Sequence, residues 1–166
     1  MPTLISESIK INHAMIYKIS FLTVFAVFIS TVMKGNDNAS ITLYAGTPVY
    51  LEMSHEVSSQ EVEIGHTVEL FVSSDVTVNG KVVIATGSIA EGRVMEVEKA
   101  CGRRCNKGCA TLSISVESVQ AVDGQRLYLR SIPLEAKGDC YRGTPAIISL
   151  GTKASARILN NTKINA

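Results

Sequence analysis

Three stretches of this chain share one pattern, in which apolar residues lead into Gly-Thr or Gly-Ser and alternating apolar positions follow. The glycines are Gly46, Gly87 and Gly151, and the residue seven positions after each is apolar, namely Met53, Val94 and Ile158. Side chains two positions apart point to the same face of a strand, so each unit predicts a tight turn followed by a half-buried strand. Glycine supplies the backbone freedom that the corner needs. The repetition predicts a small β-barrel, closed or nearly closed.

Strand signals continue from Ile41 onward, separated by turn residues. Asn79-Gly80 and Asp123-Gly124 are hairpin signals between alternating apolar runs. The stretch Val62–Gly65 indicates a further short strand that ends at its glycine. No stretch after Ala39 has sustained helical periodicity. The spacing of strands and turns therefore predicts an all-β fold, a small β-barrel in the first instance and a β-sandwich as the alternative.

The N-terminal part contains an uncharged apolar run, Ile19–Val32, with Lys10 and Lys18 before it and a polar exit that starts at Lys34. A basic flank followed by a short apolar run is typical of a secretory signal. The run is shorter than the roughly 20 apolar residues of a membrane span. A buried pair of strands is the alternative structure, but the run does not alternate. We therefore expect a hydrophobic helix and export of the chain.

The same segment divides the chain in two. Residues 1–39 are predicted to be a signal peptide or an N-terminal membrane anchor, and residues 40–166 the β-barrel domain. An uncleaved anchor stays open because no clean small-x-small cleavage site precedes Lys34. Met15 is an alternative start, since it gives a more compact signal. The predicted location is the periplasm or cell envelope, with attachment to the inner membrane if the segment is retained.

The charge of the chain argues against nucleic acid as a partner. The formal net charge is +1 at pH 7, and tryptophan is absent. A nucleic-acid surface needs a concentrated basic face together with aromatic side chains that stack on bases. Arg103, Arg104 and Lys107 form the one local basic cluster, and we take them as candidate residues of a binding loop.

The four cysteines are Cys101, Cys105, Cys109 and Cys140. An even number in an exported domain favours disulfides, and the sequence leaves all three pairings open. A zinc site formed by the same four thiols is the alternative, although zinc ligands usually come as two close pairs. Free or redox-active thiols are a third interpretation, because the neighbouring cations would lower a thiol pKa.

The remaining polar residues do not form a catalytic signature. His13, His55 and His66 have no nucleophile at a recognisable spacing, and the chain lacks a Gly-x-Ser-x-Gly elbow, a His-Glu-x-x-His pair and a phosphate-binding loop. We therefore expect surface histidines, no catalytic residues, no cofactor and no enzymatic activity.

The order of turn and strand motifs over roughly residues 41 to 135 resembles a known family. The segments that carry the resemblance are Gly46–Val49, Glu63–Glu69, Asp75–Val76, Gly80–Ser88, Gly92–Val94, Leu112–Ile114 and Asp123–Leu129. They are similar to the periplasmic β-barrel domain of the envelope-spanning (TrbI-like) scaffold subunit of type IV secretion and conjugation machines. The resemblance implies a β-barrel fold and an envelope location, and a role in such an assembly is one function that it suggests.

Together these observations predict an exported cell-envelope module with a structural or binding role and an envelope protein as its partner. A subunit of a type IV secretion or conjugation assembly is one alternative. A thiol- or metal-dependent protein that uses the cysteine cluster is the other.

Overall fold

The computed structural model describes residues 40–101 and 109–166, which contain strands and no helix. The hydrophobic helix and signal or anchor expected in residues 1–39 lie outside the described residues. The strands are β1 Ser40–Leu43, β2 Pro48–Met53, β3 Val57–Ser58, β4 Thr67–Val72, β5 Val76–Val78, β6 Lys81–Ile84, β7 Ile89–Glu98, β8 Thr111–Gln120, β9 Arg126–Ser131, β10 Leu134–Lys137, β11 Ile147–Ile148, β12 Lys153–Ile158 and β13 Thr162–Asn165.

Six of these strands form a closed antiparallel barrel. The order around the barrel is β8, β7, β4, β2, β12 and β9, and the pairing of β9 with β8 closes the ring. Closure removes the unpaired edges that an open sheet would present. The predicted barrel is therefore confirmed, and the alternative sandwich is not the fold that forms.

The last strand of the ring changes its neighbours along its length. The first residues of β9 pair with β8, as in Ser118 opposite Tyr128, and its last residues pair with β12. Where β9 leaves β8, the hydroxyl of Ser131 accepts a hydrogen bond from the N–H of Val116 at 2.8 Å. After Pro133 the chain returns to β8 as β10, with Leu134 opposite Ile114. The side chain of Ser131 thus replaces a missing ladder bond at the point of closure.

The repeated glycine turns form one recurring hydrogen-bond arrangement, which we call the clasp. Each clasp has two backbone hydrogen bonds. In the first, the glycine N–H donates to the carbonyl of a strand residue. In the second, the N–H of the same strand residue donates to the carbonyl of the residue that follows the glycine. The glycines and strand residues pair as Gly46 with Ile158, Gly151 with Met53, Gly87 with Val72 and Gly65 with Val94. In every case the strand residue stands seven positions after the glycine of the partner unit, which explains the spacing seen in the sequence.

The fourth clasp corrects the sequence interpretation. Val62–Gly65 was expected to end a strand, but it forms turns, with Val62 buried and Ile64 exposed at 68%. The N–H of His66 donates to the carbonyl of Glu63, so the segment is the corner that leads into β4. Glycine is needed here because its φ of +87° lies in the left-handed region. The chain therefore has four such units, which start β2, β4, β7 and β12.

The barrel interior is filled by the apolar residues that alternate along the strands. Leu51, Leu70 and Ile114 are among the fully buried side chains of these strands. Gly92 of β7 also faces this interior, since an added Cβ would lie 3.1 Å from both the carbonyl oxygen of Ser115 and a methyl group of Val68.

Shorter strand pairs lie beside the ring. The β5–β6 hairpin turns at Asn79 and Gly80, both with positive φ, as the sequence predicted. Strands β1 and β13 pair so that Ser40 lies opposite Asn165. Strand β3 pairs with β11, and the adjoining Ser59 is fully buried and exchanges hydrogen bonds with Ala146. These pairs add Val57, Val83, Ile148 and Ile164 to the buried core.

Candidate functional site

The predicted disulfide bonding is confirmed for one pair, Cys109–Cys140, which closes a sequence separation of 31. The pairing follows from the register of β8 and β10, in which Thr111 lies opposite Lys137. Cys109 precedes the first strand and Cys140 follows the second, so the two cysteines meet where this ladder ends. The bridge fastens the entry to β8 to the loop that follows β10.

The loop beyond β10 is also held by its own hydrogen bonds. The N–H of Gly138 donates to the carbonyl of Ala110 at 2.8 Å, beside the disulfide. One carboxylate oxygen of Asp139 accepts hydrogen bonds from the N–H groups of Tyr141 and Arg142. An added Cβ at Gly138 would collide with the carbonyl oxygen of Thr144. The disulfide therefore joins the segment that enters β8 to a loop with a defined shape.

The other residues of the predicted cysteine site are only partly described. Cys101, which follows β7, is disulfide-bonded as well. Cys105 and the candidate binding residues Arg103, Arg104 and Lys107 lie outside the described residues. Within residues 40–101 and 109–166, no group of three or more His, Cys, Asp and Glu side chains is placed to hold a metal ion.

The two described histidines lie apart from this region. The ring nitrogen Nδ1 of His55 lies 2.8 Å from the hydroxyl of Ser54, which in turn donates to the carbonyl of Glu69. His66 belongs to a clasp turn and is exposed. His55 therefore lies just after β2, and His66 lies just before β4.

A second candidate site lies on the outer face of β2, β12 and β9, and the sequence interpretation missed it. A groove of about 330 Å³ is lined there by residues that include Pro48, Tyr50, Arg130, Ser131, Ile132 and Arg157. We call it the arginine groove. Arg130 and Arg157 are directly opposite each other in the β9–β12 register, and both are exposed. Directly opposite residues have Cβ atoms about 4.5–5.5 Å apart, so the two arginine side chains leave the sheet from neighbouring positions.

The surroundings of the arginine groove supply little negative charge. Strands β2, β9 and β12 contain one acidic residue, Glu52, which lies opposite Lys153. Arg126, at the start of β9, forms an ion pair with Glu91 of β7 at 2.9 Å. Among the described residues, neither Arg130 nor Arg157 forms an ion pair within 4.0 Å of a carboxylate, whereas Arg93, Arg126 and Arg142 do. Among the described residues, the positive charges of Arg130 and Arg157 are therefore not balanced by a carboxylate within 4.0 Å.

Two carboxylates elsewhere have a pKa below the ordinary value. For Asp75, hydrogen bonds from the hydroxyl and the N–H of Thr86, at 2.7 and 2.6 Å, lower the pKa. For Asp123, desolvation raises the pKa, but hydrogen bonds from the N–H groups of Asn165 and Gln125 and from the Gln125 side chain outweigh it. Asp75 joins the two ends of the β5–β6 hairpin, and Asp123 connects its turn to β13. Their chemistry is that of structural acceptors.

The part of the chain that the structure describes contains no helix that is long and apolar enough to cross a membrane. Comparison of the chain with protein-family models gives no match, and comparison with curated proteins gives none either.

Proposed function

We propose that the protein is an exported cell-envelope module that acts by binding or by structural support and not by catalysis. The observation that carries the proposal is the Cys109–Cys140 disulfide. Disulfides persist in oxidising compartments such as the periplasm and are rare in the cytosol. The apolar run Ile19–Val32, with its basic flank, supports the same location.

The closed barrel suits such a role because binding residues usually lie on loops and surfaces that a rigid scaffold positions. The loop between β7 and β8 starts beside Cys101 and ends at Cys109, and both cysteines are disulfide-bonded. Its cations Arg103, Arg104 and Lys107 are proposed to contact an envelope protein. The membrane is a further contact if residues 1–39 remain attached.

Two measurements test the proposal. A fusion of an enzyme that is active only outside the cytoplasm to Ala166 is expected to be active, and deletion of residues 1–39 is expected to abolish its activity. Intact-mass measurement after alkylation without reduction is expected to show no blocked cysteine. Activity of a cytosolic reporter at the same fusion point, together with four alkylated thiols, would overturn the proposal and favour the thiol- or metal-dependent alternative.

A type IV secretion or conjugation subunit is a second candidate, because the barrel is the fold that the sequence resemblance implies. Co-purification with a multi-protein envelope complex from mild detergent is the expected result for that candidate. Recovery as a solitary monomer would count against it.

A further inference from the structure

We propose that the arginine groove binds an acidic peptide segment, with a carboxylate held between Arg130 and Arg157. The proposal names the ligand chemistry of the binding role proposed above and rests on it. Guanidinium groups are planar and form paired hydrogen bonds with carboxylates, so two adjacent arginines suit a carboxylate better than a neutral group.

The two arginine side chains differ in their hydrogen bonds. Nη1 of Arg157 donates a hydrogen bond to the carbonyl of Gly46 at 2.9 Å, which fixes this guanidinium and leaves further N–H donors for a ligand. Arg130 makes no side-chain hydrogen bond or ion pair with the described residues. One cation is therefore held in place while the other is available to close on a ligand.

Placing the two arginines opposite each other carries a cost in the unliganded protein. Like charges directly opposite on neighbouring strands destabilise a sheet, and no acidic residue on these strands offsets the pair. A bound carboxylate would remove this repulsion. The arrangement is thus explained by a ligand that brings the missing negative charge.

The lining of the groove indicates a peptide as the source of the carboxylate. Ile132 is exposed at 81% and Tyr50 at 55%, so apolar and aromatic surface lies beside the cations. Pro48 lines the same groove and adds a further apolar contact. A segment with an acidic residue next to an apolar residue matches both parts of this surface.

The test is a binding titration of the full oxidised chain with a fluorescein-labelled peptide that alternates Glu and Val over eight residues. The same peptide with Gln in place of Glu is the matched control ligand. We expect the Glu peptide to bind at least tenfold more tightly at 0.15 M salt. Arg130→Gln and Arg157→Gln are each expected to weaken this binding tenfold or more, and Arg130→Lys to weaken it less.

Arg142→Gln is the control variant, because it removes one exposed arginine in the loop after β10. It is expected to leave the affinity for the Glu peptide unchanged. Equal binding of the Glu and Gln peptides would overturn the proposal, as would an equal loss of affinity in Arg142→Gln. Tighter binding of a single-stranded oligonucleotide that also needs Arg130 would overturn it in favour of nucleic acid.

A second readout separates ligand binding from a structural role. Without peptide, Arg130→Gln is expected to unfold at the same or a higher denaturant concentration, since the substitution removes one of two like charges at directly opposite positions. A lower midpoint would show that Arg130 supports the fold instead. If the Glu peptide does not bind, the proposal for the arginine groove fails but the proposed exported location is unaffected. If the protein is cytosolic, the proposed function fails but the measured peptide affinity is unaffected.

Discussion

The clasp glycines permit a quantitative test of the repeated unit. The φ angles of Gly46, Gly65, Gly87 and Gly151 are +86°, +87°, +81° and +75°. No atom of the surrounding protein lies within 4 Å of a Cβ added at any of them. Replacement by alanine therefore introduces no collision with neighbouring groups, and the cost comes from the backbone conformation alone.

That cost can be estimated for each clasp. An L-residue in the left-handed region is disfavoured by about 1–2 kcal/mol. The substitution also reduces the entropy of the unfolded chain, which returns about 0.4–1 kcal/mol. We expect each Gly→Ala variant to lose roughly 1 kcal/mol of unfolding free energy in a urea titration, with similar values for all four. Asparagine is expected to lose less than alanine at the same positions, because it tolerates positive φ better.

The hairpin glycine Gly80 provides an internal control. Its φ of +78° and open surroundings match those of the clasp glycines, but it lies in the β5–β6 turn and not in a clasp. Gly80→Ala is therefore expected to cost the same amount. Unchanged stability of Gly65→Ala, or asparagine variants less stable than alanine variants at all four clasps, would refute the argument from backbone conformation.

Three further predictions follow from single contacts. Replacing Cys109 and Cys140 together by alanine is expected to lower the unfolding free energy by about 3.7 kcal/mol, which is the chain-entropy value for a separation of 31. A loss below about 1 kcal/mol in a urea titration would contradict this expectation. Folding lowers the pKa of Asp75, so the carboxylate stabilises the protein above its ordinary pKa, and this contribution is lost as the pH falls through the folded pKa. The difference in unfolding free energy between the wild type and Asp75→Asn, measured from pH 6 to pH 2, should therefore shrink towards acid. Gly92→Ala is expected to lower the unfolding free energy by about 1–3 kcal/mol, because the added methyl group overpacks the barrel interior. Thermal unfolding of this variant at or above the wild-type temperature would show instead that Val68 and Ile114 move aside freely.

The strands and corners of the barrel could be predicted from sequence because their signals are local. The glycine of a corner and the alternating residues after it stand within one short segment, as in the unit that starts at Gly46. The fourth unit was missed because His66, and not threonine or serine, follows Gly65. The hydrogen bonds of the clasp come from the backbone, so they form with either residue after the glycine.

Contacts between distant segments could not be predicted in the same way. The cysteine sequence allowed three pairings, and the choice depends on the β8–β10 register that places Thr111 opposite Lys137. The bulge at Met95 is a similar case. Val94 lies opposite Ile114 and Glu96 opposite Ser113, which leaves Met95 unpaired and exposed. Its position depends on how two long strands align.

The arginine groove shows why the chemistry of such a surface is harder to predict than the fold. Arg130 and Arg157 each occupy an outward position of an alternating strand, where a cation is ordinary and carries no signal. Their significance comes from one register, in which β9 leaves β8 at Ser131 and turns to pair with β12. A shift of that pairing by one residue would place the two side chains on opposite faces or out of contact. The pairing that closes the barrel therefore also places Arg130 opposite Arg157. Ser131→Ala removes the hydroxyl that accepts the hydrogen bond from Val116, so this variant should be less stable and should bind an acidic peptide more weakly.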